Sequence, residues 1–239
     1  SKCGIRIQGR ARKLRINYRT TEQIRSAADS IFRSSGADVA DSVFADVRGI
    51  GDASPATTFD DLDGGESSTG DSRSLMSGPV PETRRFASQS DEMDAVREWI
   101  YGLCGTAENM AGDEFDGERV DPRNVCVVAR SRYCIDQWRE ALNNGLPYGV
   151  YQLGRDAENR QRQGIRVATM HRVKGLEFDY VVVVDVNDGV CPPKPVLQSA
   201  GADSAALNEI YREERSLIYV AMTRAKKGVL LTGVSAQVG

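Results

Sequence analysis

Paired cysteines, histidine, long apolar runs and net positive charge are all scarce in this 239-residue sequence. Its five cysteines (Cys3, Cys104, Cys126, Cys134 and Cys191) are odd in number and form no C-x-x-C pair. That argues against a disulfide scaffold or a zinc site and suits a reducing cytosol. Cys126 sits in an apolar run, where a thiol behaves as a small hydrophobe. Histidine occurs once, as His171, with no serine or cysteine placed around it as a triad. No apolar run approaches the roughly 20 residues of a membrane span, and the start does not read as a signal peptide. The expectation is a soluble, cytoplasmic chain with no membrane partner. The phosphate-cradling pattern G-x-x-x-x-G-K-[ST] is also absent.

The net charge of −3 excludes a chain that is basic throughout. The charge is unevenly spread, however. Residues 1–35 hold nine Lys or Arg against Glu22 and Asp29, and residues 36–81 hold nine Asp or Glu against Arg48 and Arg73.

What is present suits a sizeable core: 40% of the residues are hydrophobic and 27% charged. Leu14 and Ile16 flank Arg15 as in a short strand. Thr20 and Gln23 predict a capping box that opens a helix through Ile24, Ala27, Ala28 and Ile31. Residues 49–81, rich in Gly, Ser, Asp and Pro, read as a long connector. Strands are predicted at Thr83–Ala87, Asn124–Ala129, Ile165–Met170, Tyr180–Val186 and Gly228–Val234. Helices are predicted over 91–103, 131–143 and 207–225. Strands that alternate with helices imply a parallel sheet covered on both faces, and the four valines Val181–Val184 fit a strand buried on both sides. In such sheets ligands bind beyond the carboxyl ends of the strands, and three polar segments are expected there.

The first is Asn17-Tyr18-Arg19-Thr20, where Arg19 lies between a strand and a helix start. A guanidinium there can fork onto phosphate oxygens, and Tyr18 could stack on a base. The second runs from Thr169 to Phe178. Thr169 and His171 fall at a strand end, Gly175 permits close backbone approach, and Glu177 could accept from a ribose hydroxyl. The third runs from Glu213 to Lys226. Ile210, Leu217 and Arg224 are spaced by sevens on one helical stripe, which predicts a core-facing row ending in an arginine. Each feature alone is compatible with a solvated surface or a satisfied core residue.

Together, in this order, the three segments resemble motifs IV, V and VI of UvrD/Rep/PcrA-type superfamily I helicases. The family reads like N-Y-R-S, T-x-H-x-x-K-G-L-E-F and E-E-x-R-x-x-Y-V-A-x-T-R-A. Here Thr20 replaces the usual Ser and Ser216 a common Arg, and the stretch from Asn124 to Asn144 also looks like the family's strand and helix between the first two motifs. The resemblance implies an α/β, RecA-like domain of the P-loop NTPase type that lacks the P-loop itself: the second motor domain of an ATP-dependent DNA helicase with 3′→5′ polarity.

It also implies roles. Arg19 and Arg224 look like the two arginines that reach the γ-phosphate of ATP, Tyr18 like the base-stacking tyrosine, and Glu177 like the ribose contact, with Gly175 beside it. Thr169 and His171 look like contacts to single-stranded DNA. The magnesium that accompanies ATP, and the loop that cradles the phosphates, are expected on an N-terminal motor domain outside this chain. The chain alone is therefore expected to be inactive. The polar stretch from Gly154 to Gly164 is too short and too poor in hydrophobes for the accessory subdomain that the family inserts before motif V, so residues 1–239 are expected to form a single domain. A non-catalytic nucleotide-sensing or docking module, and the motor part of a helicase–nuclease, are alternatives.

Overall fold

The computed structural model describes residues 16–17, 19–33, 39–40, 43–44, 57–59, 66–68, 73–105, 119–154, 159 and 161–235. Its centre is an all-parallel sheet of six strands. In chain order these are β5 (Glu82–Phe86), β6 (Val125–Ala129), β7 (Val150–Gln152), β8 (Ile165–Thr169), β9 (Phe178–Val183) and β10 (Ala225–Val234). They lie in the order β5-β10-β9-β6-β8-β7. The predicted α/β architecture is the observed one.

The apolar runs explain the two-faced burial. Along β6, Cys126 and Val128 face one core with Ala168, Val181, Val183 and Leu231. Their neighbours Val125, Val127 and Ala129 face a second core with Ile165, Val167, Val182 and Leu230. Adjacent side chains of a strand point to opposite faces, so a continuous run of valines loads both.

Helices cover both faces. On the first lie α1 (Glu22–Arg33), with Ile24, Ala27, Ala28 and Ile31, and α5 (Ser204–Met222), with Ile218, Ala221 and Met222. On the second lie α2 (Gln89–Cys104) and α3 (Arg132–Gly145). Ser88 caps α2 by accepting from the amide of Asp91, and Glu92, Val96, Ile100 and Cys104 form its buried stripe at steps of four. Ser131 caps α3 through Cys134, and Asp203 caps α5 through Ala205 and Ala206. The short α4 (Lys194–Ala200) has no buried residue and was not predicted. Among the described residues no helix is long and apolar enough to cross a membrane.

Three local expectations are corrected. The cap of α1 is Thr21, whose hydroxyl accepts from the amide of Ile24 at 3.4 Å. Thr20 instead offers its carbonyl to Ser74, and Gln23 turns away to bond the amide of Gly78 and the hydroxyl of Ser77.

The segment read as a connector contains strands. β2 (Thr57–Phe59) pairs antiparallel with β3 (Glu66–Ser68), and β4 (Arg73–Ser74) pairs parallel with β1 (Ile16–Asn17). Strands of two or three residues are too short to show a period. The amide of Ser74 then donates to Glu22 at 2.8 Å, which pins the end of this segment to the start of α1.

On α5 the fully buried stripe is Ile218, Ala221 and Met222; Leu217 packs against the same core while partly buried, as expected, whereas Ile210 and, beyond the helix end, Arg224 are only partly buried. The strand expected over Val181–Val184 is observed, with β9 ending at Val183 and Val184 buried just beyond it. Asp185 is buried and accepts from the indole N–H of Trp138 at 2.8 Å.

Candidate nucleotide and nucleic-acid site

Parallel strands place all their carboxyl ends on one edge of the sheet and all their starts on the other. The expected residues divide between the two edges. This corrects the expectation that all three constellations lie beyond the carboxyl ends, and the reason is topological. After β8 ends at Thr169 the chain must travel back before β9 can start parallel to it, so Glu177, just before Phe178, emerges at the amino edge. Likewise α5 returns the chain to that edge, leaving Arg224 immediately before β10. The amide of Phe178 donates to the carbonyl of Arg224 at 3.0 Å, which fixes the two strand starts side by side.

At this amino edge Arg19 reaches in from the start of α1. Its Nε lies 2.9 Å from Glu177 Oε1, with the arginine side chain 69% exposed and the glutamate 30%. Lys226 Nζ lies 3.2 Å from the other oxygen, Oε2. The Lys226 hydrogen bond is the main cause that holds the Glu177 carboxyl below its ordinary range, against a smaller opposing effect of burial, and the charges of Lys226, Arg19 and Arg224 add to it. Arg224 is half-buried, with Nε donating to the carbonyl of Val220 at 3.1 Å and a terminal nitrogen to Thr223 Oγ1 at 3.2 Å. Beside Glu177 and Lys226 a polar cleft of about 280 Å³ extends past Asp179 to Asp121 and Arg123. Tyr18 lies outside the described residues.

At the carboxyl edge, Thr169 closes β8 and its carbonyl accepts from the amide of Arg172 at 2.8 Å. The turn this makes leaves His171 exposed. Thr169 and His171 border a cleft of about 600 Å³ together with Arg132, Asp136, Gln152 and Arg172. Gly175 follows with a φ of +84°, and a side chain there would meet no heavy atom within 4 Å. Its glycine is thus required by backbone conformation, with open space in front of it.

The structure therefore brings Arg19, Glu177 and Arg224 together, keeps Thr169 and His171 together, and places the two groups at opposite ends of the parallel strands. Sequence reasoning included Lys226 only as the end of the third segment and gave it no role. It also missed Arg132 and Arg172, whose signal is position at a strand or helix end beside the second motif. Arg130, the first residue after β6, forks onto buried Glu214 through Nε at 2.7 and 2.9 Å. Among the described residues no cluster of three or more His, Cys, Asp or Glu could hold a metal ion.

Residues 150–235 match a family model described as the UvrD-like helicase C-terminal domain. The chain is 34% identical over 122 residues to the putative ATP-dependent DNA helicase YjcD of Bacillus subtilis, covering 51% of this chain and 15% of that protein. To the ATP-dependent DNA helicase UvrD2 of Mycobacterium tuberculosis it is 34% identical over 142 residues, or 58% of this chain and 19% of the relative. To DNA helicase II of Escherichia coli it is 30% identical over 117 residues, or 48% and 15%. The matched stretches thus span less than a fifth of these relatives. Among solved structures, the C-terminal domain of a possible DNA helicase from Lactobacillus plantarum aligns with a TM-score of 0.49 at 16% identity, over 91% of this chain and 88% of that one.

Proposed function

We propose, for a chain whose residues 150–235 carry the UvrD-like helicase C-terminal domain, that it is the second motor domain of an ATP-dependent DNA translocase with 3′→5′ polarity. The observation that carries this reading is the convergence of Arg19, Glu177 and Arg224 at one edge of the sheet. Two arginines and a carboxylate that start 158 and 47 residues apart in sequence have no core to build there.

ATP supplies a phosphoryl group whose oxygens gather charge as it transfers, and guanidinium groups fixed opposite those oxygens stabilise that charge. Arg19 and Arg224 fit this task. Glu177 fits a hydroxyl donor such as ribose, and Tyr18 and Gly175 complete the nucleotide contacts. The magnesium and the phosphate-cradling loop are assigned to an N-terminal motor domain, which is also the partner that closes the cleft. Thr169 and His171 are assigned to single-stranded DNA. The same reading assigns no inserted subdomain between Leu153 and Ile165, a stretch that lies partly outside the described residues.

In this reading the chain alone does not turn over ATP, and the full-length protein does so faster with single-stranded DNA. Steady phosphate release by the purified 239-residue chain, or release by the full-length protein that single-stranded DNA does not accelerate, would overturn it. A protein that binds nucleotide without hydrolysis would instead support the docking or sensing module.

A further inference from the structure

Glu177 does not face Arg19 alone. Its two oxygens are divided, Oε1 to Arg19 at 2.9 Å and Oε2 to Lys226 at 3.2 Å. The division has a structural cause. β10 pairs with β9 from Ala225 opposite Phe178, and the register shifts between Ala225 and Gly228. The irregularity spans Lys226 and Lys227, and such a bulge re-aims the side chains it carries. Both lysines reach acidic residues that flank buried Phe178: Lys226 meets Glu177, and Lys227 meets Asp179 at 3.1 Å.

We infer that Lys226 is a positioning residue for nucleotide binding, which holds Glu177 by one oxygen so that the other is presented first to Arg19 and then to the nucleotide. This rests on the proposed roles of Arg19 and Glu177. With Lys226 in place, Glu177 keeps a cationic partner when Arg19 leaves it for phosphate oxygens, and Oε1 becomes an oriented acceptor for a hydroxyl. Without Lys226, the departure of Arg19 leaves Glu177 without that cation, and both carboxylate oxygens compete for the guanidinium that the phosphate requires. The cost falls on binding of the nucleotide, since Lys226 itself is not assigned to the reacting oxygens.

The full-length protein tests this through steady-state ATP hydrolysis in the presence of single-stranded DNA. Lys226→Ala is expected to raise KM for ATP about fivefold while kcat changes by less than about twofold, the scale of an exposed ion pair lost from binding alone. Lys226→Arg is expected to restore KM, because a cation returns. Introduced into Glu177→Gln, Lys226→Ala is expected to add nothing, because the charge it steadies has gone. An unchanged KM in Lys226→Ala, a failure of Lys226→Arg to restore it, or a full additional loss in the double variant would each overturn the inference. Thermal melting of each variant separates these results from a damaged fold. A wild-type protein without ATP turnover, or one insensitive to Arg224→Ala, sinks the proposed function itself and this inference with it.

Discussion

The hydroxyl of Thr232 donates to Glu92 Oε1 at 2.6 Å, joining residues 140 positions apart at the carboxyl edge of the sheet. The same oxygen accepts the amide of Asp185 at 3.0 Å, so one buried carboxyl ties the first turn of α2 to the ends of β9 and β10.

Burial pushes the Glu92 carboxyl from an ordinary 4.5 up to about 7, with the nearby Asp185 carboxylate acting in the same direction. Burial raises Asp185 as well. Between these two values the folded chain holds a proton that the unfolded chain has released, so stability falls as pH rises. The contribution is fully present below about 4.5 and lost through about 7. It amounts to roughly 1–3 kcal/mol. Glu92→Gln keeps the carbonyl acceptor and has no proton to lose. Urea unfolding of the chain at pH 5 and pH 8 should therefore show a smaller difference in the variant than in the wild type. An equal difference would mean that Glu92 does not set the slope.

Arg130 and Glu214 offer a second stability test. The Glu214 side chain is only 3% exposed, and the Arg130 side chain 18%. Removing one partner of a buried pair leaves a charge uncompensated and costs about 3–5 kcal/mol. Arg130→Ala should destabilise the chain on this scale in chemical denaturation. Replacing both residues with apolar side chains of similar size should cost less than the single change. A single variant that melts like the wild type would show the pair to be energetically idle.

Arg19→Ala and Arg224→Ala bear on the proposed chemistry in the full-length protein. Loss of an arginine that stabilises phosphoryl-transfer charge lowers the rate by roughly 10³–10⁵-fold. Either variant should nearly abolish DNA-stimulated hydrolysis while leaving the melting temperature close to the wild-type value. Near-normal turnover would return that residue to an ordinary surface role.

His171→Ala examines the other edge. One contact to a base or backbone is worth roughly 1–2 kcal/mol, so single-strand affinity should fall about 5- to 30-fold. Fluorescence anisotropy with a labelled oligonucleotide measures this directly. An unchanged affinity would remove His171 from the DNA contacts.

Much of the fold was legible because apolar runs carry a strong signal, whereas the one predicted cap fell a residue away from the observed Thr21. The predicted Asn124–Ala129, Ile165–Met170 and Gly228–Val234 fall within a few residues of β6, β8 and β10. Helix α3 begins one residue after Ser131 and ends at Gly145, close to the predicted 131–143. The short α4 buries no side chain, so it left no apolar period to detect. The pairing of Ile16–Asn17 with Arg73–Ser74 depends on contacts far apart in sequence, which local pattern does not encode. The site was legible as residue types, since Arg19, Glu177 and Arg224 were singled out before their meeting was visible. What the sequence withheld was the edge on which they meet. A strand's direction follows from the whole topology, and Lys226 became meaningful only once β10 was placed beside β9.

Residues 170–177 carry the chain from the end of β8 to the start of β9, against the direction of both strands. Fully stretched, these eight residues reach at most about 26–29 Å. The return along six-residue β9 consumes about 20 Å of it. The turn from His171 to Gly175 takes up more, and buried Val173 anchors the middle. The segment is a strap with almost no slack. Its length is therefore a specification in its own right: one or two extra residues here, tolerable in most surface loops, would let either edge of the sheet move without the other feeling it.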